Sequence, residues 1–183
     1  MRDIIGTERL ELRCFRPDDA ADLHEIFCDP KTHTIGTGPI SSLDRTEEWI
    51  ERRILTYRET GLAWYGARLR DSGLLVGNCG VFAGRTGSAG PEIGYEVRRT
   101  HQGQGIAGEA ARAVLDECSA SGIARVWATI RPHNTASLQL AARLGMTVEY
   151  TRTDERGELL YLSRFSSQGP GSGTPESGTP DRP

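Results

Sequence analysis

The stretch from Pro91 to Cys118, PEIGYEVRRTHQGQGIAGEAARAVLDEC, changes character twice. Glu92 to Val97 reads as a short strand, and Gln102-Gly103-Gln104-Gly105-Ile106-Ala107 then places two glycines where the backbone can turn sharply and approach a ligand closely. From Ala107 onward Ala110, Ala111, Val114, Leu115 and Cys118 recur at helical spacing, so the turn opens directly into a helix. The turn amides would face an anion, with the positive end of the helix dipole behind them.

Three readings fit this strand, turn and helix. The plainest is a tight connection that holds nothing. The second is a dinucleotide site, because Gly103-Gln104-Gly105-Ile106-Ala107-Gly108 spells G-x-G-x-x-G. That reading requires a carboxylate at the end of the next strand for the ribose hydroxyls. Strand Arg125 to Ile130 runs instead into Arg131-Pro132-His133-Asn134, where only Arg131 offers itself, to a 2′-phosphate.

The third rests on several ordered motifs together. EIGYEV, then HQGQGIAGEA, then a strand, then NTASLQLAARLGM is similar to the acetyl-CoA-binding core of the GNAT N-acetyltransferase superfamily. The family signature, Gln or Arg, two residues, Gly, one residue, Gly or Ala, is matched by Gln102 to Ala107. The opening Thr7-Glu8-Arg9-Leu10-Glu11-Leu12-Arg13 and the segment Asn134 to Ser137 resemble the RimJ/RimL-like branch, and the resemblance spans about residues 7–165.

Composition narrows the alternatives. The chain has 183 residues and a net charge of −3, with a pI near 5.8. That length suits one domain, and the missing basic excess argues against a nucleic-acid or membrane-surface binder. Cys14, Cys28, Cys79 and Cys118 lie far apart without a C-x-x-C pair, so no metal site or disulfide framework is signalled. MRDIIGTERLELR lacks the apolar core of a signal peptide and no run reaches the length of a membrane span, so a cytoplasmic protein is expected.

Along the chain, Leu10, Leu12 and Cys14 alternate with Arg9, Glu11 and Arg13, the pattern of a strand with one dry face. Pro17 opens a helix with acids in its first turn. After a Gly- and Thr-rich loop over 31–41 comes a second helix, Leu43 to Thr60, and loop and helix together suit the wall of a substrate cleft. Strands follow over Trp64–Arg70 and Leu74–Phe82, joined by Asp71-Ser72-Gly73 as a hairpin, then Glu92–Val97 and Arg125–Ile130. A helix over Thr135–Leu144, capped by Gly145, and strands over Met146–Arg152 and Leu159–Phe165 complete the order.

The expected class is α/β with a single domain over 1–165. The resemblance implies a mixed, mostly antiparallel sheet flanked by about four helices and splayed beside the fourth strand, Glu92–Val97, where the pantetheine arm lies. The tail 166–183, SSQGPGSGTPESGTPDRP, has no large apolar residue and is expected to be disordered.

Acetyl transfer from a thioester to an amine needs a neutral amine, a donor for the developing oxyanion and a proton for the leaving thiolate. Glu92 leads as base, directly or through water, and Glu96 shares its face by strand alternation, where the family often carries an aromatic or apolar residue. His101 and His133 have a suitable intrinsic pKa. By resemblance, Ser137 is the acid that meets the thiolate and Asn134 holds the pantetheine arm. Asn134 also suits a helix N-cap.

Backbone amides near Val97 would polarise the thioester carbonyl, and Gln102, Gly103, Gln104, Gly105, Ile106, Ala107 and Gly108 would cradle the coenzyme pyrophosphate. Of the adjacent Arg98 and Arg99, only one can face the phosphates; Arg99 is chosen. The expected co-substrate is acetyl-CoA, without a metal. The partner is an amine acceptor, either a protein N-terminus or a small molecule, and a homodimer is compatible with the chain. A module that binds the coenzyme without catalysis is the rival reading. Glu47, Glu48, Glu92 and Glu96 would favour a cationic acceptor if they lined the cleft.

Overall fold

The computed structural model describes residues 1–32 and 38–166. Of the segments singled out in the sequence, part of the 31–41 loop and nearly all of the 166–183 tail lie outside the described residues. Among the described residues no helix is long and apolar enough to cross a membrane.

Among the described residues, eight strands form one sheet in the order β1-β2-β3-β4-β5-β6-β8-β7. These are β1 (Ile4–Gly6), β2 (Leu10–Cys14), β3 (Trp64–Leu69), β4 (Leu75–Phe82), β5 (Glu92–Val97), β6 (Arg125–Ile130), β7 (Thr147–Asp154) and β8 (Gly157–Phe165). The helices are α1 (Ala20–Phe27), α2 (Leu43–Thr60), α3 (Ile106–Ala120) and α4 (Thr135–Arg143). Every neighbouring pair is antiparallel except β5 and β6.

Most boundaries follow from local chemistry. Gly61 and Gly145, at φ of 72° and 76°, take the left-handed conformation that ends α2 and follows α4. Residues 17–19 form a separate 3₁₀ turn ahead of α1, because Pro17 starts the turn and the carboxylate of Asp19 accepts from the Arg16 amide at 2.7 Å. Asp154 accepts from the Arg156 amide at 2.9 Å, closing a tight β7–β8 hairpin and carrying both strands beyond their expected ends. Strand β1 is not evident in the sequence, being three residues long with only Ile5 buried, and it makes the strand expected as fourth the fifth in chain order.

The sheet has two dry faces. Leu12, Tyr65, Cys79, Ile93 and Val97 pack against α3 and α4 through Val114 and Leu140, while Phe15, Trp64 and Leu75 pack against α1 and α2 through Leu23, Phe27 and Ile50. Along β5 this alternation puts Ile93, Tyr95 and Val97 on the α3 side and Glu92, Gly94 and Glu96 on the α2 side.

Strand β5 stays paired to β4 along its whole length, from Phe82 opposite Glu92 to Gly77 opposite Val97. To β6 it pairs only at Glu92 opposite Trp127, where the Trp127 amide donates to Pro91 O at 2.8 Å. Beyond that point the two strands part, opening a gap along the second half of β5.

Candidate active site

At the C-terminal end of β5 the chain makes one 3₁₀ turn (Arg99–His101) and enters the glycine loop. Gly103 and Gly105, at φ of 75° and 80°, supply the left-handed residues that the turn into α3 requires. Gly105 is the N-cap of α3 and brings no side-chain cap. Among the described residues no acceptor meets the amides of Gly103, Gln104, Gly105, Ile106, Ala107 or Gly108. Donors left open at the positive end of a 15-residue helix fit a pyrophosphate.

The loop is clamped from a distance. Arg9, at the start of the β2 hairpin, donates through Nη1 to Gln104 O at 2.9 Å and through Nε to Glu109 at 2.7 Å. Glu109 also accepts from the Arg9 amide at 2.8 Å and from Thr7 Oγ1 at 2.5 Å. Partial burial opposes its charge, but these donors outweigh that and hold the Glu109 carboxyl below the usual range. Gln102 Nε2 donates to Val97 O at 3.0 Å and Gln104 Nε2 to Thr100 O at 3.0 Å, so both glutamines shape the loop with their side chains.

In the gap, the Arg98 amide donates back to Val76 O on the β4 side at 2.7 Å. By alternation the amides of Tyr95 and Val97 therefore point to the β6 side, into the opening. The Tyr95 hydroxyl crosses to α4 and donates to Ser137 O at 3.4 Å, and burial raises its pKa. Asn134 is the N-cap of α4, its Oδ1 accepting from the Ser137 amide at 3.1 Å, which leaves its Nδ2 available. Asn134 and Ser137 thus stand in one helical turn beside Tyr95.

The two β5 carboxylates differ sharply. Glu92 is 2% exposed, and its Oε1 accepts from the amides of Arg85 and, at 3.2 Å, Thr86, while its Oε2 accepts from Thr129 Oγ1 at 2.9 Å. A Cβ at position 84 would collide with this carboxylate, so Gly84 makes the room for it. Glu92 ties the 84–86 loop and β6 to the closed end of β5.

Glu96 is 4% exposed, yet among the described residues neither of its oxygens has a hydrogen-bond partner. Across the ladder stands Asn78, whose Oδ1 accepts from Trp64 Nε1 at 3.0 Å and whose Nδ2 is likewise without an acceptor. Burial pushes the Glu96 carboxyl up to about 8, with the neighbouring Asn78 amide pulling more weakly the other way.

The remaining candidates separate cleanly. Arg98 is engaged with Leu75 O at 3.2 Å and Glu25 at 2.9 Å, whereas Arg99 is exposed beside the loop. His101 is half-buried and meets Thr100 Oγ1 at 3.0 Å, and His133 is exposed. Glu47 and Glu48 are exposed on α2. Arg131 binds Asp154 through both carboxylate oxygens, at 2.8 and 2.7 Å, and Gly157 O at 2.8 Å, which removes the cation on which the 2′-phosphate reading relied.

Thr7, Arg9, Asn78, Tyr95 and Glu109 are the site's additional members. Thr7 and Arg9 fall in the opening segment and Tyr95 and Glu109 in the central one, but nothing local says that residues a hundred positions apart meet.

Comparison with known proteins gives the family and the fold. The model of the GNAT acetyltransferase domain matches residues 9–147. The uncharacterized protein YkkB of Bacillus subtilis strain 168 is 33% identical over 150 residues, covering 80% of this chain and 86% of its own. An uncharacterized N-acetyltransferase, p20 of Bacillus licheniformis, is 27% identical over 169 residues, covering 90% and 95%. The fold superposes on RimL, a ribosomal L7/L12 alpha-N-protein acetyltransferase in complex with coenzyme A, with a TM-score of 0.77 at 21% identity, over 88% of this chain and 97% of that one.

Proposed function

The chain belongs to the GNAT acetyltransferase family, and from that premise we propose that it passes acetyl from acetyl-CoA directly to a primary amine, with Glu96 taking the proton that the amine must lose. The observation that carries this reading is Glu96 itself: a carboxyl buried without partners, with a pKa near 8, on the strand whose second half borders the gap. An α-amine also titrates at about 8, so proton transfer between the two is close to balanced.

In this reading the amine nitrogen attacks the thioester carbon, a C–N bond replaces the C–S bond, and the nitrogen proton goes to Glu96. The Val97 amide donates to the carbonyl oxygen as it gains charge. The leaving sulfur takes a proton from the Ser137 hydroxyl, beside which the Tyr95 hydroxyl is held; solvent returns a proton to Ser137 as Glu96 gives its own up to solvent, so both side chains end the cycle as they began. Asn134 Nδ2 holds the pantetheine arm, the amides of residues 103–108 hold the pyrophosphate and Arg99 adds charge at its edge. Glu92, whose carboxylate accepts from three donors at the closed end, acts as a positioning residue for the loop over 84–86.

Residues 1–165 form the catalytic domain in this reading, working in the cytoplasm. The acceptor is a primary amine, of a protein N-terminus or of a small molecule. The named activity of the RimL relative on a protein α-amine favours the first class, and the fold alone favours neither.

Thiol release from acetyl-CoA across a panel of amines tests the reading. Steady turnover with at least one amine is expected, reduced by about two orders of magnitude in Glu96→Gln. Binding of acetyl-CoA without release for any amine class, or full activity of Glu96→Gln, refutes it.

A further inference from the structure

Three buried side chains from neighbouring strands meet on the α2 face of the sheet: Trp64 of β3, Asn78 of β4 and Glu96 of β5. Asn78 stands directly opposite Glu96 in the β4–β5 ladder, so the two side chains leave the sheet on the same face, side by side. Trp64 reaches Asn78 diagonally. Its own partner in the β3–β4 ladder is Gly80, where a Cβ would collide with the Trp64 backbone. The indole Nε1 of Trp64 donates to Asn78 Oδ1 at 3.0 Å.

That bond decides which end of the amide is left over. An indole nitrogen is a donor only, so it holds the oxygen of Asn78 and leaves Nδ2 as the unused end. The ring that enforces this is itself held, with the ring centres of Trp49 and Phe82 5.5 Å away and the Arg53 guanidinium 4.5 Å from its own centre. Among the described residues, the buried Asn78 Nδ2 has no acceptor and the buried Glu96 oxygens have no donor. Leaving either group unmet is costly, the carboxylate most of all, and an N–H binds a carboxylate more strongly than the neutral acid.

We infer that Asn78, its amide fixed by Trp64, is a positioning residue for Glu96: Nδ2 donates to the carboxylate, holds it in one orientation and keeps the ionised form within reach of a buried site. Its part in catalysis rests on Glu96 being the base, whereas the pairing of the two side chains does not. Burial raises the proton affinity of Glu96, and the Asn78 amide is the group that opposes it. The charged groups of this face are engaged elsewhere. Arg98, two residues along β5, is held by Glu25 of α1 and Leu75 O, and Glu92 by its three donors. His24 of α1 meets Thr46 of α2, Asp19 pairs with Arg13 and Arg68, and Arg53 of α2 lies against aromatic rings.

The test is the titration of Glu96 by carboxyl ¹³C NMR in the ligand-free protein, with the resonance assigned by its loss in Glu96→Gln. It is run on the wild type, Asn78→Leu and Trp64→Phe. In Asn78→Leu the midpoint is expected to rise by about one pH unit or more, a tenfold gain in proton affinity that matches the usual weight of a hydrogen bond to a charged group. In Trp64→Phe, which keeps a ring in the stack but frees the amide to turn, it rises by less. That variant adds no apolar surface beside Glu96, so its rise reports the orientation of the amide and not burial. In kcat/KM the ionisation of the base moves up by the same amount in each variant, whereas a purely structural loss lowers the profile without moving it. A midpoint that stays or falls in either folded variant overturns the inference, so Trp64→Phe decides alone if Asn78→Leu does not fold. The titration does not depend on turnover. Full activity of Glu96→Gln removes Glu96 as the base even where the midpoints move, and unmoved midpoints in an enzyme that Glu96→Gln disables leave the base in place and remove Asn78.

Discussion

The two ends of β5 place a glutamate on the same face, in the same degree of burial, four residues apart in sequence, and build opposite things with it. At the closed end Glu92 meets two loop amides and a threonine hydroxyl, and the strand is joined to β6. At the open end Glu96, among the described residues, has only the weak pull of the neighbouring Asn78 amide, and the strand has lost its β6 neighbour. Burial alone therefore does not make a base. What distinguishes the two is whether the surroundings already hold the carboxylate or leave its charge to depend on pH and on a substrate.

The largest effect that would sharpen the contrast is on rate. Glu96→Gln is expected to lower kcat by about 10²–10³, whereas Glu92→Gln should leave the folded enzyme within a few-fold of wild type and lower stability instead, by about 1–3 kcal/mol as a buried acceptor is replaced by a donor. Steady-state kinetics beside thermal unfolding separates them, and a reversed pattern would break the comparison.

Next in size is the cradle. Gly105→Ala forces a side chain into a left-handed conformation beside Arg9, and Glu109→Gln weakens the clamp that holds Gln104. Both are expected to raise the KM for acetyl-CoA by about tenfold, a loss near 1.4 kcal/mol, with a smaller change in kcat. An unchanged KM would mean that the clamp does not shape the loop.

A third expectation concerns the protein without ligands. The folded pKa of Glu96 lies above the ordinary carboxyl value of 4.5. Its contribution to stability is thus fully present below about 4.5 and is lost as pH rises through about 8. Urea unfolding between those limits should show wild-type stability declining relative to Glu96→Gln, by on the order of a few kcal/mol. Parallel curves would place the carboxyl in an ordinary environment. Smallest is Ser137→Ala, expected to lower kcat by several-fold only, because the Tyr95 hydroxyl stands next to it and a thiolate is a good leaving group.

The contrast between the two glutamates also marks how far the sequence can be read. Strands β5 and β6 and helix α2 are found where alternation, helical spacing and capping residues place them. The glycines of the loop and the Asn134 cap follow from local rules of backbone freedom and capping. Strand β1 escapes because three residues with one buried side chain carry no period.

The glutamates escape for another reason. The donors that hold Glu92 come from Arg85, Thr86 and Thr129, brought together only by tertiary structure, and alternation says merely that both glutamates share a face. Arg53 reads as an ordinary charge in a charged helix until three rings from α2, β3 and β4 close around it. Arg131 looks free to bind a phosphate until the β7–β8 hairpin delivers Asp154.

The most direct test of Glu96 as the base is the pH dependence of kcat/KM for acetyl transfer to an amine of known pKa, in the wild type and in Glu96→Gln. If Glu96 accepts the proton, the wild-type profile rises through an ionisation near 8 in addition to that of the amine, and the variant retains only the amine's. Profiles of the same shape, differing at most in height, would contradict it.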